Sequence, residues 1–501
     1  MNPNLAAAPL AHFRPLANRF GGDKGGIALG AALVLIAGVS LVQLVLGAQF
    51  AFLLLADAAS IMVAVLLYLA PNRIGSWFAL AQLLQQFGIA LICKTAMLLP
   101  VDSGLMRPLP SLSLCVVVIV LTGVSAVTQG ARSAGDYRLA KYYGDPARWG
   151  SIGLLLLAVG ETATWLSYFV NRNGGAIFGG FNPLVHFKIA GVALLANHVM
   201  RQGRLLSLGL VFALGLAVFE ALLLNSKSEV AFRFAAYGLA LFAQPIRWQK
   251  RLFAIASCVA LIVAADRLVF PVIHVLRTDE FKSASVQDRS AMIREAFSGA
   301  RYTWRDLRVA ESSTIMDDYI RFLSTDDGFI NRFGSLGYLD LTMAMGDPNV
   351  TRMSPIEFLR DCLVNGLPGP LARQKDYISF ADKLWVGIDP RFLVGGFATM
   401  GVIASARMTF GTWEGMPILI GLLWAILYLW QKWYGSDIRT PLLQFVLIDS
   451  IAGFIDGDIQ GIVLYLCRFF WQDLLVIFLA GYLMTALARQ RAWSEPGFGS
   501  G

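Results

Sequence analysis

Runs of about twenty apolar residues recur along this chain, and that length is what a helix needs to cross the ~30 Å hydrocarbon core of a bilayer. In lipid every backbone N–H and C=O must pair within the chain, so each run reads as a helix. The runs do not alternate at period two, which argues against a transmembrane β-barrel. Only 15% of residues are charged, against about 25% in soluble domains. The runs predict spans over 26–47, 50–70, 76–98, 111–131, 150–170, 186–200, 205–224, 229–246, 252–275, 391–409, 416–434 and 463–487. The expected fold is an all-α polytopic membrane protein of about twelve transmembrane helices. Residues 441–458 form a weaker apolar stretch broken by Asp449, Asp456 and Asp458. That stretch is expected to be partly re-entrant or to lie flat.

Basic residues in the short connections set the orientation. Arg73, Arg132, Arg138, Lys141, Arg148, Arg201, Arg204, Arg247, Lys250 and Arg251 fall after even-numbered spans. Those connections are therefore expected to be cytoplasmic, with the N-terminus inside. The expected organisation is a cytoplasmic N-terminus (1–25), a membrane bundle of about nine spans (26–275), a large periplasmic or extracellular loop (276–390), C-terminal membrane helices (391–487) and a tail (488–501). Arg489 and Arg491 favour an inside C-terminus. Within the loop, 286–300 reads as an amphipathic helix, and Ser354-Pro355-Ile356-Glu357 reads as a helix start with Pro at the first position. A loop this long is uncommon unless functional.

The net charge of +8 does not point to nucleic acid, because much of it lies in the topology-setting connections. The loop carries Arg289, Arg294, Arg301, Arg305, Arg308, Arg321, Arg332, Arg352, Arg360 and Arg373. Arg301, Arg305 and Arg308 share one helical face and could grip a phosphate or pyrophosphate through paired hydrogen bonds. A solvated face paired with Asp306, Glu311, Asp317 and Asp318 reads equally well. The turn Asn225-Ser226-Lys227-Ser228-Glu229 opens a span and could hold an anion at a helix N-terminus; a plain tight turn is the alternative. Glu161, Glu220 and Arg233 lie inside apolar runs, as do Asp57, Asp266 and Arg267. Ionisable groups at membrane depth usually face the protein interior or a water-filled cavity, and Glu220 and Arg233 are placed to pair. The glycine-rich stretch Asn171 to Asn182 could approach a sugar, or be an ordinary turn.

His186 and His274 are expected at the outer membrane face, where either could act as a general base or be structural. Histidines and cysteines show no zinc-ligand spacing. There is no Walker A motif, no dinucleotide-binding glycine pattern and no nucleophile elbow. ATP-driven transport and cytoplasmic redox chemistry therefore have no support.

The layout resembles the Wzy-type polymerases that join oligosaccharide repeat units in O-antigen, capsule and exopolysaccharide assembly. The likeness rests on the span number, the large loop in the second half, Ser226-Lys227-Ser228 after a polar turn, Arg301-Tyr302-Thr303-Trp304-Arg305, and Phe329-Ile330-Asn331-Arg332-Phe333-Gly334. The resemblance implies a glycosyltransferase of the bacterial inner membrane. It would transfer a glycan from polyprenyl pyrophosphate to a lipid-linked repeat unit, alongside a chain-length regulator and a flippase. Lys227, Arg301, Arg305, Arg308 and Arg332 would then contact pyrophosphate, and Glu220, His274 and His186 would supply the base or orient it. No cofactor or metal is implied. The related O-antigen ligases are expected to use a histidine in the large loop, and residues 276–390 contain none, which favours polymerase over ligase.

Two rival classes share these features. A transporter or flippase of lipid-linked oligosaccharide explains the buried charges but not the long loop. A glycosyltransferase using polyprenyl-phosphate sugar would carry acidic residues in its first external loop, and here only Gln49 separates the first two spans.

Overall fold

The computed structural model describes residues 23–128, 137–172, 182–224, 228–264, 284–298, 334–345, 353–366, 401–450 and 457–494, with Val269, Val272, Leu276 and Phe322. Among these residues the regular structure is helical and no strand occurs. The first helices are α1 (Asp23–Val45), α2 (Phe50–Leu69), α3 (Ile74–Ala96), α4 (Pro108–Thr128) and α5 (Trp149–Arg172). Then come α6 (Phe187–Arg201), α7 (Leu208–Leu223), α8 (Ser228–Ala243) and α9 (Trp248–Ala264). Residues 276–390 contribute α10 (Val286–Ser298), α11 (Ser335–Ala344) and α12 (Pro355–Gly366). The chain closes with α13 (Val402–Phe410), α14 (Thr412–Tyr434), α15 (Pro441–Ser450), α16 (Ile459–Leu464) and α17 (Phe470–Ser494).

Seven helices have the length and hydropathy to cross a bilayer, so this is an integral membrane protein. They are α1 to α5, α14, and the run through α16 and α17. The apolar runs predict about a dozen spans; of the other five, 186–200 and 205–224 fall on shorter helices, and 252–275 and 391–409 are described only in part. Helices α6 and α7 have 15 and 16 residues; at 1.5 Å per residue they are roughly 22–24 Å long, short of the ~30 Å hydrocarbon core, and α8 and α9 are described over Ser228–Ala243 and Trp248–Ala264. The expected span 391–409 is described only from residue 401. There α13 has 9 residues, because Gly401 and Gly411 bound it with φ of +77° and +84°, the left-handed region that ends a helix.

The chain divides into two compact units, each assembled from three stretches of sequence. One contains α1 to α4, α11 to α13, most of α14, and α16. Here α11 is tied to the membrane helices by a buried carboxylate. Asp340 accepts from the N–H of Met106 (2.6 Å), the N–H of Arg107 (2.7 Å) and the hydroxyl of Ser111 (3.0 Å). It thereby caps α4 from another part of the chain, where the positive helix end favours an anion. Arg407 of α13 donates to the carbonyl of Thr342 and to Thr412 Oγ1. Asp57, one of the acidic residues in an apolar run, accepts from Ser40 at 2.6 and 2.8 Å. Helix α12 starts where the sequence indicates: Ser354 and Glu357 form a reciprocal capping pair.

The second unit contains α5 to α10, the last turn of α14, α15, and α17. Helix α6 is its centre, with every residue buried except His198 and Arg201. It crosses α5 at glycines. A Cβ on Gly160 would lie 2.4 Å from the Lys188 nitrogen, and one on Gly191 2.6 Å from the Leu157 nitrogen. Small residues of this kind let membrane helices approach backbone to backbone. Helix α10 docks through Arg289, which is buried, donates to the carbonyl of Leu223 (3.2 Å) and lies 5.0 Å from the Tyr168 ring centroid. Arg289 therefore anchors α10 at the C-terminal end of α7.

Candidate functional site

Two groups of chemistry-bearing side chains meet at the N-terminal end of α6. The first is a pair. A one-turn helix, Asn182–Val185, leads into His186, the N-cap of α6. His186 Nδ1 lies 3.1 Å from Asp449 Oδ1, and the imidazole side chain keeps 52% of its exposure. Asp449 lies on α15.

Helix α15 is held antiparallel to α6 by a buried amide cluster. Gln444 Oε1 accepts from Asn197 Nδ2 (2.7 Å), and Gln244 Nε2 donates to Asn197 Oδ1 (2.6 Å). Phe445 packs on Phe187, ring centroids 6.1 Å apart. This arrangement sets Asp449 beside the positive end of α6, where the helix dipole favours an anion. Asp473 of α17 is buried within electrostatic range of Asp449 and His186, and the buried Tyr434 lies within range of both carboxylates.

The second group begins two residues further along α6. Lys188 Nζ donates to Thr164 Oγ1 of α5 (3.1 Å) and to Glu220 Oε2 of α7 (3.2 Å). Arg233 of α8 bonds the same Glu220 oxygen, stands 2.7 Å from Glu161 Oε1 and donates to the carbonyl of Ala213 (3.0 Å). Two cations and two carboxylates from four helices thus close on one another away from water, as buried charges must. The close approach of α5 and α6 at Gly160 is what brings Glu161 and Thr164 to Lys188.

The Glu220–Arg233 pair matches the sequence expectation. His186 and Glu220, both candidates for base or orienting group, are brought to one helix end. His274, Lys227, Arg301, Arg305, Arg308 and Arg332 lie outside the described residues, as do Asp266, Arg267 and most of the glycine-rich stretch. Sequence reasoning missed Lys188, Asp449 as a partner, and Asp340. Lys188 carried a signal: a charge inside an apolar run, two residues after a candidate histidine. Among the described residues no group of three or more His, Cys, Asp and Glu could hold a metal ion.

No family model, no curated protein and no solved structure matches this chain.

Proposed function

We propose that this protein is a glycosyltransferase of the bacterial cytoplasmic membrane. In this reading it polymerises oligosaccharide repeat units carried on polyprenyl pyrophosphate at the outer face. The observation that carries the reading is the His186–Asp449 pair at 3.1 Å. A half-exposed imidazole whose Nδ1 is oriented by a carboxylate is the arrangement a general base needs. The pair supplies the base that the histidine-free loop lacks.

The reaction follows from that assignment. Nε2 of His186 takes the proton of an acceptor sugar hydroxyl, and the imidazolium is stabilised by Asp449. The hydroxyl oxygen bonds to the donor's anomeric carbon as the bond from that carbon to the pyrophosphate oxygen breaks. Polyprenyl pyrophosphate leaves with the electron pair. Lys227, Arg301, Arg305, Arg308 and Arg332 are assigned to stabilise the charge on the leaving group. A chain-length regulator and a flippase are the partners this reading calls for.

The test is deletion of the gene in its host, with lipid-linked and released glycans sized by electrophoresis. Single repeat units should accumulate, and complementation with His186→Ala or Asp449→Asn should fail although both variants reach the membrane. Unchanged polymer length in the deletion strain sinks the proposal.

A second reading, transport of a lipid-linked oligosaccharide, draws on the Glu161–Lys188–Glu220–Arg233 cluster. Ionisable groups at membrane depth commonly line transport routes. Repeat units trapped on the cytoplasmic side of the deletion strain would select it.

A further inference from the structure

The hydrogen bonds in the four-charge cluster are unevenly divided. Glu220 Oε2 accepts from both Lys188 and Arg233, while Glu220 Oε1 accepts from neither. Neither oxygen of Glu161 accepts a hydrogen bond. The 2.7 Å approach of Arg233 NH1 to Glu161 Oε1 is an ionic contact without hydrogen-bond alignment. The two carboxyl groups lie within hydrogen-bonding reach of one another. Buried acceptors without donors are costly and rare. A single hydrogen relieves the deficit on both groups, because a proton on Glu161 can be donated to Glu220 Oε1.

We propose that Glu161 and Glu220 hold one exchangeable proton between them, and that Glu161 is the member that gains and loses it. Glu220 is fully buried and bonded to both cations, whereas the Glu161 side chain is 13% exposed and has only a share of Arg233. The charged groups facing Glu161 are Lys188 from α6, Glu220 from α7 and Arg233 from α8. His198 of α6 packs on Gly150, about three turns away along α5. Asp473, on α17, is coupled to Asp449 and His186.

The Glu161 side chain keeps 13% of its exposure, the opening through which a small hydrophobic reagent reaches it. Without the proton the four side chains sum to zero charge; with it they sum to one positive charge. Proton uptake and the approach of an anion to this end of α6 therefore favour each other. The inference does not rest on the polymerase reading.

The full chain in lipid nanodiscs is treated with dicyclohexylcarbodiimide over a range of pH, and labelled peptides are located by mass spectrometry. The reagent takes the proton of a carboxylic acid onto its nitrogen while the carboxylate oxygen adds to its central carbon; the adduct rearranges to a stable acylurea. Labelling of Glu161 should follow its protonated fraction, changing about tenfold per pH unit above the midpoint. Infrared difference spectra of the same samples should show an acidic carboxyl C=O band that disappears in Glu161→Gln and persists in Asp473→Asn. Absence of both label and band in the unmodified protein overturns the proposal without any variant. Label confined to Asp57 or Asp473, or a band that survives in Glu161→Gln, overturns it as well.

Discussion

Replacing Gly160 by alanine tests whether helix contact positions the charged cluster. The added Cβ would stand 2.4 Å from the Lys188 nitrogen and 3.0 Å from the Lys188 Cβ. Ordinary contacts between such atoms begin at about 3.5 Å, so α5 and α6 must part by about 1 Å, a gap that forfeits up to roughly half of the dispersion attraction. Overpacking of this kind costs about 1–3 kcal/mol. Alanine recovers about 0.5–1 kcal/mol over glycine inside a helix, leaving a net loss of about 0.5–2 kcal/mol. The separation also lengthens the 3.1 Å bond from Lys188 to Thr164, which adds to the loss.

Gly215 of α7 and Gly238 of α8 meet nothing within 4 Å, so the same replacement there should stabilise by about 0.5–1 kcal/mol. Thermal unfolding in detergent, followed by tryptophan fluorescence, measures all three. Gly160→Ala melting at or above the unmodified protein, with no separation from Gly215→Ala and Gly238→Ala, would refute the argument.

Removing Arg233 should be costly because it leaves two buried carboxylates facing each other. Arg233→Met is expected to lose about 3–5 kcal/mol, and adding Glu161→Gln, which leaves the buried Lys188–Glu220 pair intact, should recover most of it, read from the same melting curves. Asp340→Ala strips the partner from two backbone N–H groups, leaves Ser111 only the Arg107 carbonyl, and should cost on the order of 2–4 kcal/mol; equal melting of variant and parent would count against the cap. The hydroxyl and N–H of Ser354 hold the Glu357 carboxyl below the usual glutamate range. Its folded-state value is therefore the lower one, and the stabilisation is present above the unfolded value and lost as pH falls through the folded value. Hydrogen exchange at the start of α12 should accelerate on acidification, and Ser354→Ala should remove that dependence.

The helices α1 to α5 were legible because each is an apolar run as long as the bilayer is thick, and nothing inside the run competes with helix formation. The start of α12 was legible because a capping pair is local, three residues apart. The Glu220–Arg233 pair could be anticipated because the two charges sit in consecutive apolar runs. His186 could be singled out, but not its partner. Asp449 lies in a stretch whose acidic residues read as interruptions of a span, and their pairing depends on a fold in which α15 returns along α6. The shortness of α6 was hidden for a related reason: buried by protein on nearly every side, it is as apolar as a helix buried by lipid, so hydropathy does not separate the two. Lys188 went unnoticed because its partners come from two other helices.

The unit built around α6 has a consequence for biogenesis. Asn197 and Gln444 are 247 residues apart in the chain, and translation at about 5–20 residues per second separates their synthesis by roughly 12–50 seconds. During that interval the amide of Asn197, made early, has no Gln444 to meet. Until then its partners are the Ala193 carbonyl within α6 and, 47 residues later, Gln244, and α6 gains its full set of buried contacts only when α15 arrives. Truncating the protein before residue 441 should therefore strand a half-assembled bundle that cellular quality control removes, even though most of its membrane helices are already in place.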